Sequence, residues 1–125
     1  MGHMARGGGG RPPTIERAET FAGGDVLDVP GRPRAIHTPG HTDGHCAFLF
    51  EGRRALFVGD ALCTWNFFTG RLGPQVMPGP TNVSTTLARE SLAAIERLDA
   101  RLLLPGHGEP WHGTPTAAVR QARAA

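Results

Sequence analysis

His41, Asp60 and His107 stand in the same kind of position in this 125-residue sequence. His41 and His107 each follow Pro-Gly directly after an apolar run, and Asp60 follows Val58-Gly59 in the same manner. Neutral imidazoles and a carboxylate are donors suited to Zn²⁺ or Fe²⁺. Their separation along the chain makes no local motif, so they act together only if a sheet brings three strand ends side by side. His37 and His112 carry no such signal. Each reads as an ordinary surface or hydrogen-bonded histidine, as a lone loop histidine usually is.

The elements that would have to position these groups are legible as short apolar runs between breakers. Arg34 to Thr38 reads as a strand broken by Pro39-Gly40, which places His41 just past its end. Cys46 to Phe50 and Ala55 to Val58 read as two strands buried on both faces, joined through Glu51-Gly52-Arg53-Arg54 as a hairpin. That hairpin delivers Asp60 to the side where His41 and His45 lie. Leu102 to Leu104 is another strand, stopped by Pro105-Gly106 ahead of His107. Val26 to Val29 reads as a further short strand closed by Pro30-Gly31. Thr14 to Phe21 is either a short edge strand or the last turn of something longer.

Two helices are expected. Asn82 or Ser84 can cap the first, with Leu87, Ser91, Ala94, Ile95 and Leu98 at helical spacing and an end near Arg101. Thr114 with Pro115 starts the second, over Thr116 to Arg123. Between strand and helix, Asn66 to Pro80 is loop-like, and Trp65, Phe67 and Phe68 suggest that it packs as a lid or flap.

Composition narrows the class. Met-Gly-His-Met reads as a cloning remnant, which sets His3 aside, and residues 1–13 as a whole read as a remnant and a disordered Gly/Arg/Pro tail. Residues 14–125 are left for one domain or part of one. Net charge is +2, and all thirteen basic residues are arginine. They are scattered, with acids near most of them, which fits a solvated surface better than a nucleic-acid interface. No run of about 18 apolar residues is present to span a membrane. No secretory pattern is seen either, so a soluble cytoplasmic protein is expected. Cys46 and Cys63, inside or beside apolar runs, read as small buried hydrophobes rather than a disulfide.

Taken in order, H-T-P-G-H-T-D-G-H from His37, V-G-D-A-L from Val58 and L-L-P-G-H-G-E-P-W from Leu103 resemble the third, fourth and fifth metal motifs of the metallo-β-lactamase superfamily. The resemblance is closest to its glyoxalase-II-like hydrolases and covers residues 24–123. It implies that His41 binds a first metal, that Asp60 bridges two metals and that His107 binds the second. It implies hydrolysis of an ester, thioester or lactone-type small molecule by a metal-held hydroxide, the metal being zinc or iron. His45 is no ligand in that pattern and is expected to orient the loop by hydrogen bonds.

The family's H-x-H-x-D-H motif, which supplies most of the ligands, is absent from this sequence. Metal binding is therefore expected to be weak or lost, and the chain alone inactive. The expected fold is α/β, half of the family's αβ/βα sandwich: a mixed sheet with helices on one face. Strands apolar on both sides need a second cover, so a homodimer pairing sheet to sheet is expected. Two other functions compete with a hydrolase or its C-terminal portion. One is a non-catalytic homodimeric scaffold with a degenerate metal site. The other is a relative of iron-dependent sulfur oxygenases.

Overall fold

The computed structural model describes residues 12–125, so most of the tail expected over residues 1–13 lies outside the described residues. In chain order the elements are β1 (Arg34–His37), β2 (Cys46–Phe50), β3 (Ala55–Gly59), β4 (Cys63–Trp65), β5 (Leu72–Gln75), α1 (Thr85–Ile95), β6 (Leu102–Pro105), β7 (Trp111–His112) and α2 (Pro115–Ala124). The main sheet has five strands in the order β1-β2-β3-β6-β7. Neighbours are antiparallel except β3 and β6, which run parallel. A parallel pair needs a long crossover, and here β4, β5 and α1 lie along it. The expected mixed α/β sheet is the one observed.

Alternation along the strands separates two faces. Ala47 and Leu49 of β2, Leu56 and Val58 of β3 and Leu103 of β6 are buried, and they pack with Ala88, Leu92 and Ile95 of α1 and Ala118, Val119 and Ala122 of α2. The opposite face carries Cys46, Phe48, Phe50, Phe57, Leu102 and Leu104, all partly or fully exposed. Phe57 is 44% exposed. The rings of Phe50 and Phe57 lie 5.2 Å apart, and Phe21 leans on Phe48 at 6.0 Å. Helices therefore cover one face only, and the strands read as buried on both faces are buried on one.

Ser84 caps α1 by accepting from the Leu87 amide, and Thr114 caps α2 by accepting from the Ala117 amide, with Pro115 at the first turn. The buried stripe of α1 is Ala88, Leu92 and Ile95: Ile95 is buried as expected, while Ala88 and Leu92 replace Leu87 and Ser91. Leu87 is 36% exposed. The helix also ends at Ile95, short of Arg101.

Other expectations are corrected too. Val26 makes a single bridge to Arg34 and no strand forms over 26–29, because the chain turns back at once, with Arg32 N–H donating to Val29 O. Thr14 to Phe21 is neither helix nor strand. The hairpin expected across 51–54 is present, β2 and β3 pairing antiparallel, and its connection is a 3-10 turn over Glu51–Arg53 closed by Arg54 at φ 48°. The stretch read as loop contains β5, paired antiparallel with β4 as a separate two-stranded ribbon. Pro74 sits within β5, which an edge strand tolerates. Among the described residues no helix is long and apolar enough to cross a membrane.

Candidate metal centre

The loop after β1 is pinned to the start of α1. Gly40 has φ 137°, and a Cβ there would collide with the Ala88 backbone. Ser84 N–H donates to Gly40 O at 2.8 Å, and Val83 N–H donates to His41 O at 3.1 Å. His41 is thereby fixed at both its own carbonyl and its neighbour's. Its side chain faces Asp60.

His45 closes the same loop from the other side. Its Nε2 accepts from the Asp60 backbone N–H at 3.0 Å, so Nδ1 carries the proton and donates to Thr38 Oγ1 at 2.8 Å. Burial pushes the His45 imidazole below its ordinary pKa of 6.5, against the pull of the Asp60 charge. Gly59 makes this approach possible: it sits at φ 53°, and a Cβ there would lie 2.8 Å from His45 Nε2. His45 is 6.1 Å ring to ring from His41.

Asp60 lies at the meeting point. Its Oδ2 is 3.1 Å from His41 Nε2, and its Oδ1 is 2.9 Å from His107 Nδ1. Parallel pairing of β3 with β6 brings the last two groups together. Gly59 pairs with Pro105, and Gly106 N–H donates to Gly59 O at 2.9 Å. Side chains of His41, Asp60 and His107 are 19%, 24% and 38% exposed, so the cluster is open to small molecules. Phe67 packs against the His107 ring at 5.2 Å and Trp65 against Phe67 at 6.0 Å, forming an aromatic wall on that side.

The three residues singled out by sequence are thus brought together, and His45 stands behind them. His37 bonds Asp43 O through Nε2 at 3.0 Å, and His112 is exposed on β7; neither contacts Asp60. Sequence reasoning did not find Asn82, which bonds His41 Nδ1 at 3.1 Å, or Thr38, which is 1% exposed. Nothing local marks Asn82 for this. It stands 41 residues from its partner in the chain, in a stretch that reads as a helix cap.

Two imidazoles and a carboxylate fit a divalent ion in kind. Ligands of one tetrahedral ion at about 2.0–2.1 Å stand roughly 3.3–3.4 Å apart, close to the observed separations. Each imidazole meets a different oxygen of Asp60, and among the described residues no three such side chains are grouped closely enough to hold one metal ion. The pattern fits two half-sites sharing one carboxylate, each short of the three protein ligands usual for zinc.

Comparison with known proteins gives a consistent picture. The profile of the metallo-beta-lactamase superfamily matches residues 4–107. A hydroxyacylglutathione hydrolase of Francisella tularensis subsp. novicida is 40% identical over 81 residues, 64% of this chain and 29% of that protein. An atrochrysone carboxyl ACP thioesterase of Aspergillus fumigatus is 34% identical over 92 residues, 72% of this chain and 25% of that protein. The chain therefore spans less than a third of the length of these curated relatives. Among solved structures, a metallo-beta-lactamase family protein from Thermus thermophilus superposes with a TM-score of 0.62 at 26% identity, over 87% of this chain and 35% of that one. TTHA1623, solved in a di-iron-bound form, gives 0.59 at 26% identity, over 92% of this chain and 51% of that one.

Proposed function

The chain belongs to the metallo-beta-lactamase superfamily, and on that footing we propose that His41, Asp60 and His107 are the C-terminal share of a two-metal hydrolase centre acting on an ester, thioester or lactone. One observation carries the reading: the Asp60 carboxylate lies between the two imidazoles, with one oxygen toward each, where it could be shared between two ions. Zinc or iron would be held at these atoms and would supply a bound hydroxide near neutral pH and a Lewis acid for the carbonyl. The chain's own residues do the rest. His45 and Gly59 hold the Asp60 backbone, the turn at Gly106 brings His107 to its oxygen, and Trp65 with Phe67 shields one side from water. The donor set is short, so turnover requires further ligands, and the chain by itself is inactive.

Cobalt(II) titration followed by visible absorption tests this. A saturable d–d band is expected with the chain and none with Asp60→Ala, while p-nitrophenyl esters and thioesters stay uncleaved. A flat titration of the unsubstituted chain would remove the metal reading.

That result would favour a second reading, a non-catalytic homodimer, for which the bare sheet face speaks. Cys46, Phe48, Phe50, Phe57, Leu102 and Leu104 make its middle apolar, with His37 and His112 at its two edges. What covers it must itself be apolar, and an identical face on a second copy satisfies that through a two-fold axis. Fully burying a Phe contributes about 1.5–3 kcal/mol, so three of them make pairing worthwhile. Light scattering at micromolar concentration should give twice the chain mass, and Phe57→Asp should give the monomer. A monomeric unsubstituted chain would sink the pairing.

A further inference from the structure

We infer that Asn82 is a positioning residue: it fixes the tautomer of His41 so that Nε2 presents a bare lone pair to the cation expected beside Asp60. The inference rests on the metal reading above for its purpose but not for its geometry. Asn82 Nδ2 donates to Met77 O at 3.0 Å and to Thr85 Oγ1 at 3.2 Å. A backbone carbonyl only accepts, so the amide orientation is settled by Met77 and its Oδ1 is the atom that faces His41. That oxygen lies 3.1 Å from His41 Nδ1. A carbonyl oxygen cannot donate, so Nδ1 must carry the proton, and Nε2 of the neutral ring is left without one.

The consequence lies on the other side of the ring. Nε2 faces Asp60 Oδ2 at 3.1 Å, with a side chain only 19% exposed. Two lone pairs at that distance repel unless a cation, a proton or a metal ion, sits between them. An Nε2–H tautomer would satisfy Asp60 by an ordinary hydrogen bond and leave nothing for a metal. Asn82 excludes that tautomer. Ser84, two residues on, caps α1, which leaves Asn82 free for this role. An amide oxygen or carboxylate behind a ligating histidine orients the ring and raises its basicity, and losing it typically costs roughly 10–100-fold in metal affinity.

The test is long-range ¹H–¹⁵N spectroscopy of the histidine side chains in the metal-free chain, joined to a zinc titration. In the unsubstituted chain Nδ1 of His41 should carry the proton. Asn82→Asp keeps an acceptor oxygen for Nδ1 and should preserve that pattern, at some cost in stability because its second oxygen meets the Met77 carbonyl in place of a donor. Asn82→Leu should shift His41 towards Nε2–H and lower zinc affinity about 10–100-fold. Thr85→Ala removes the outer hydrogen bond without touching His41 and should leave both readouts unchanged, which separates positioning from general support of the helix start. Amide spectra of β2 and α2 check that the variants fold. An unsubstituted chain with Nδ1 bare, or an Asn82→Leu spectrum with the same tautomer, overturns the inference. If the unsubstituted chain takes up no zinc while its tautomer is as stated, the metal reading fails and the role of Asn82 stands.

Discussion

Gly59→Ala should be among the most damaging single-methyl changes in this protein, and its cost can be built from two parts. Gly59 sits at φ 53°, a left-handed conformation that costs a residue with a Cβ roughly 1–2 kcal/mol. The added methyl would also stand 2.8 Å from His45 Nε2, so the imidazole must withdraw from the Asp60 amide it accepts from at 3.0 Å. Losing that partly buried hydrogen bond adds about 1 kcal/mol, giving a total of about 2–3 kcal/mol. For a domain of this size roughly 4 °C of melting temperature goes with each kcal/mol, so a fall of about 8–12 °C is expected. Circular dichroism melts of the metal-free chain measure it. A double-mutant cycle with His45→Ala isolates the second part, because with the ring gone the methyl meets nothing and its cost should shrink by about 1 kcal/mol. Gly52→Ala, where a Cβ meets no atom within 4 Å, serves as the control. A Gly59→Ala melt within 2–3 °C of the unsubstituted chain, or strict additivity in the cycle, would refute the close approach on which the placement of Asp60 depends (the margin being about half a kcal/mol).

Stability should also fall in acid because of His45. Its folded-state pKa lies below 6.5, chiefly through burial, so between the two values the unfolded chain binds more protons and stability rises with pH. The contribution is intact above 6.5 and is lost as pH falls through the folded value. Chemical denaturation at pH 5 and pH 8 should show a steeper loss for the unsubstituted chain than for His45→Gln, and equal slopes would contradict it. Leu92→Ala should cost about 2–5 kcal/mol, since Leu92 is 1% exposed in the core, whereas Leu87→Ala on the open side of α1 should cost under about 1 kcal/mol. Urea midpoints that rank the two the other way would show that the helix is rotated. A thiol reagent should label Cys46 in the folded chain, slowly, and Cys63 only on unfolding, because burial pushes both thiols up and Cys63 is 0% exposed. Prompt labelling of both in native buffer would argue against the placement of β4.

The aromatic wall beside His107 depends on the small ribbon as well as on the main sheet. Trp65 and Phe67 belong to the stretch that begins with β4, and the short ribbon with β5 is what holds them against the cluster.

What the sequence determined by itself is local. Pro-Gly after an apolar run stops a strand wherever it occurs, so the positions of His41 and His107 just past strand ends could be read directly. The same holds for β2, β3, β6 and the start of α2, where breakers and caps act through neighbouring residues. Tertiary structure decided what depends on distant partners. The phase of α1 was set by the sheet it packs on, so its buried stripe fell on Ala88 and Leu92 rather than Leu87 and Ser91. Gly73 and Pro74 concealed β5, whose pairing energy comes from β4 and whose cover comes from α2. Parallel alignment of β3 with β6 brought Asp60 to His107, and the turn ahead of α1 brought Asn82 to His41. Neither contact leaves a mark on nearby residues, because hydrogen bonds across 41 and 47 positions are fixed by how whole elements pack and not by any propensity of the chain between them.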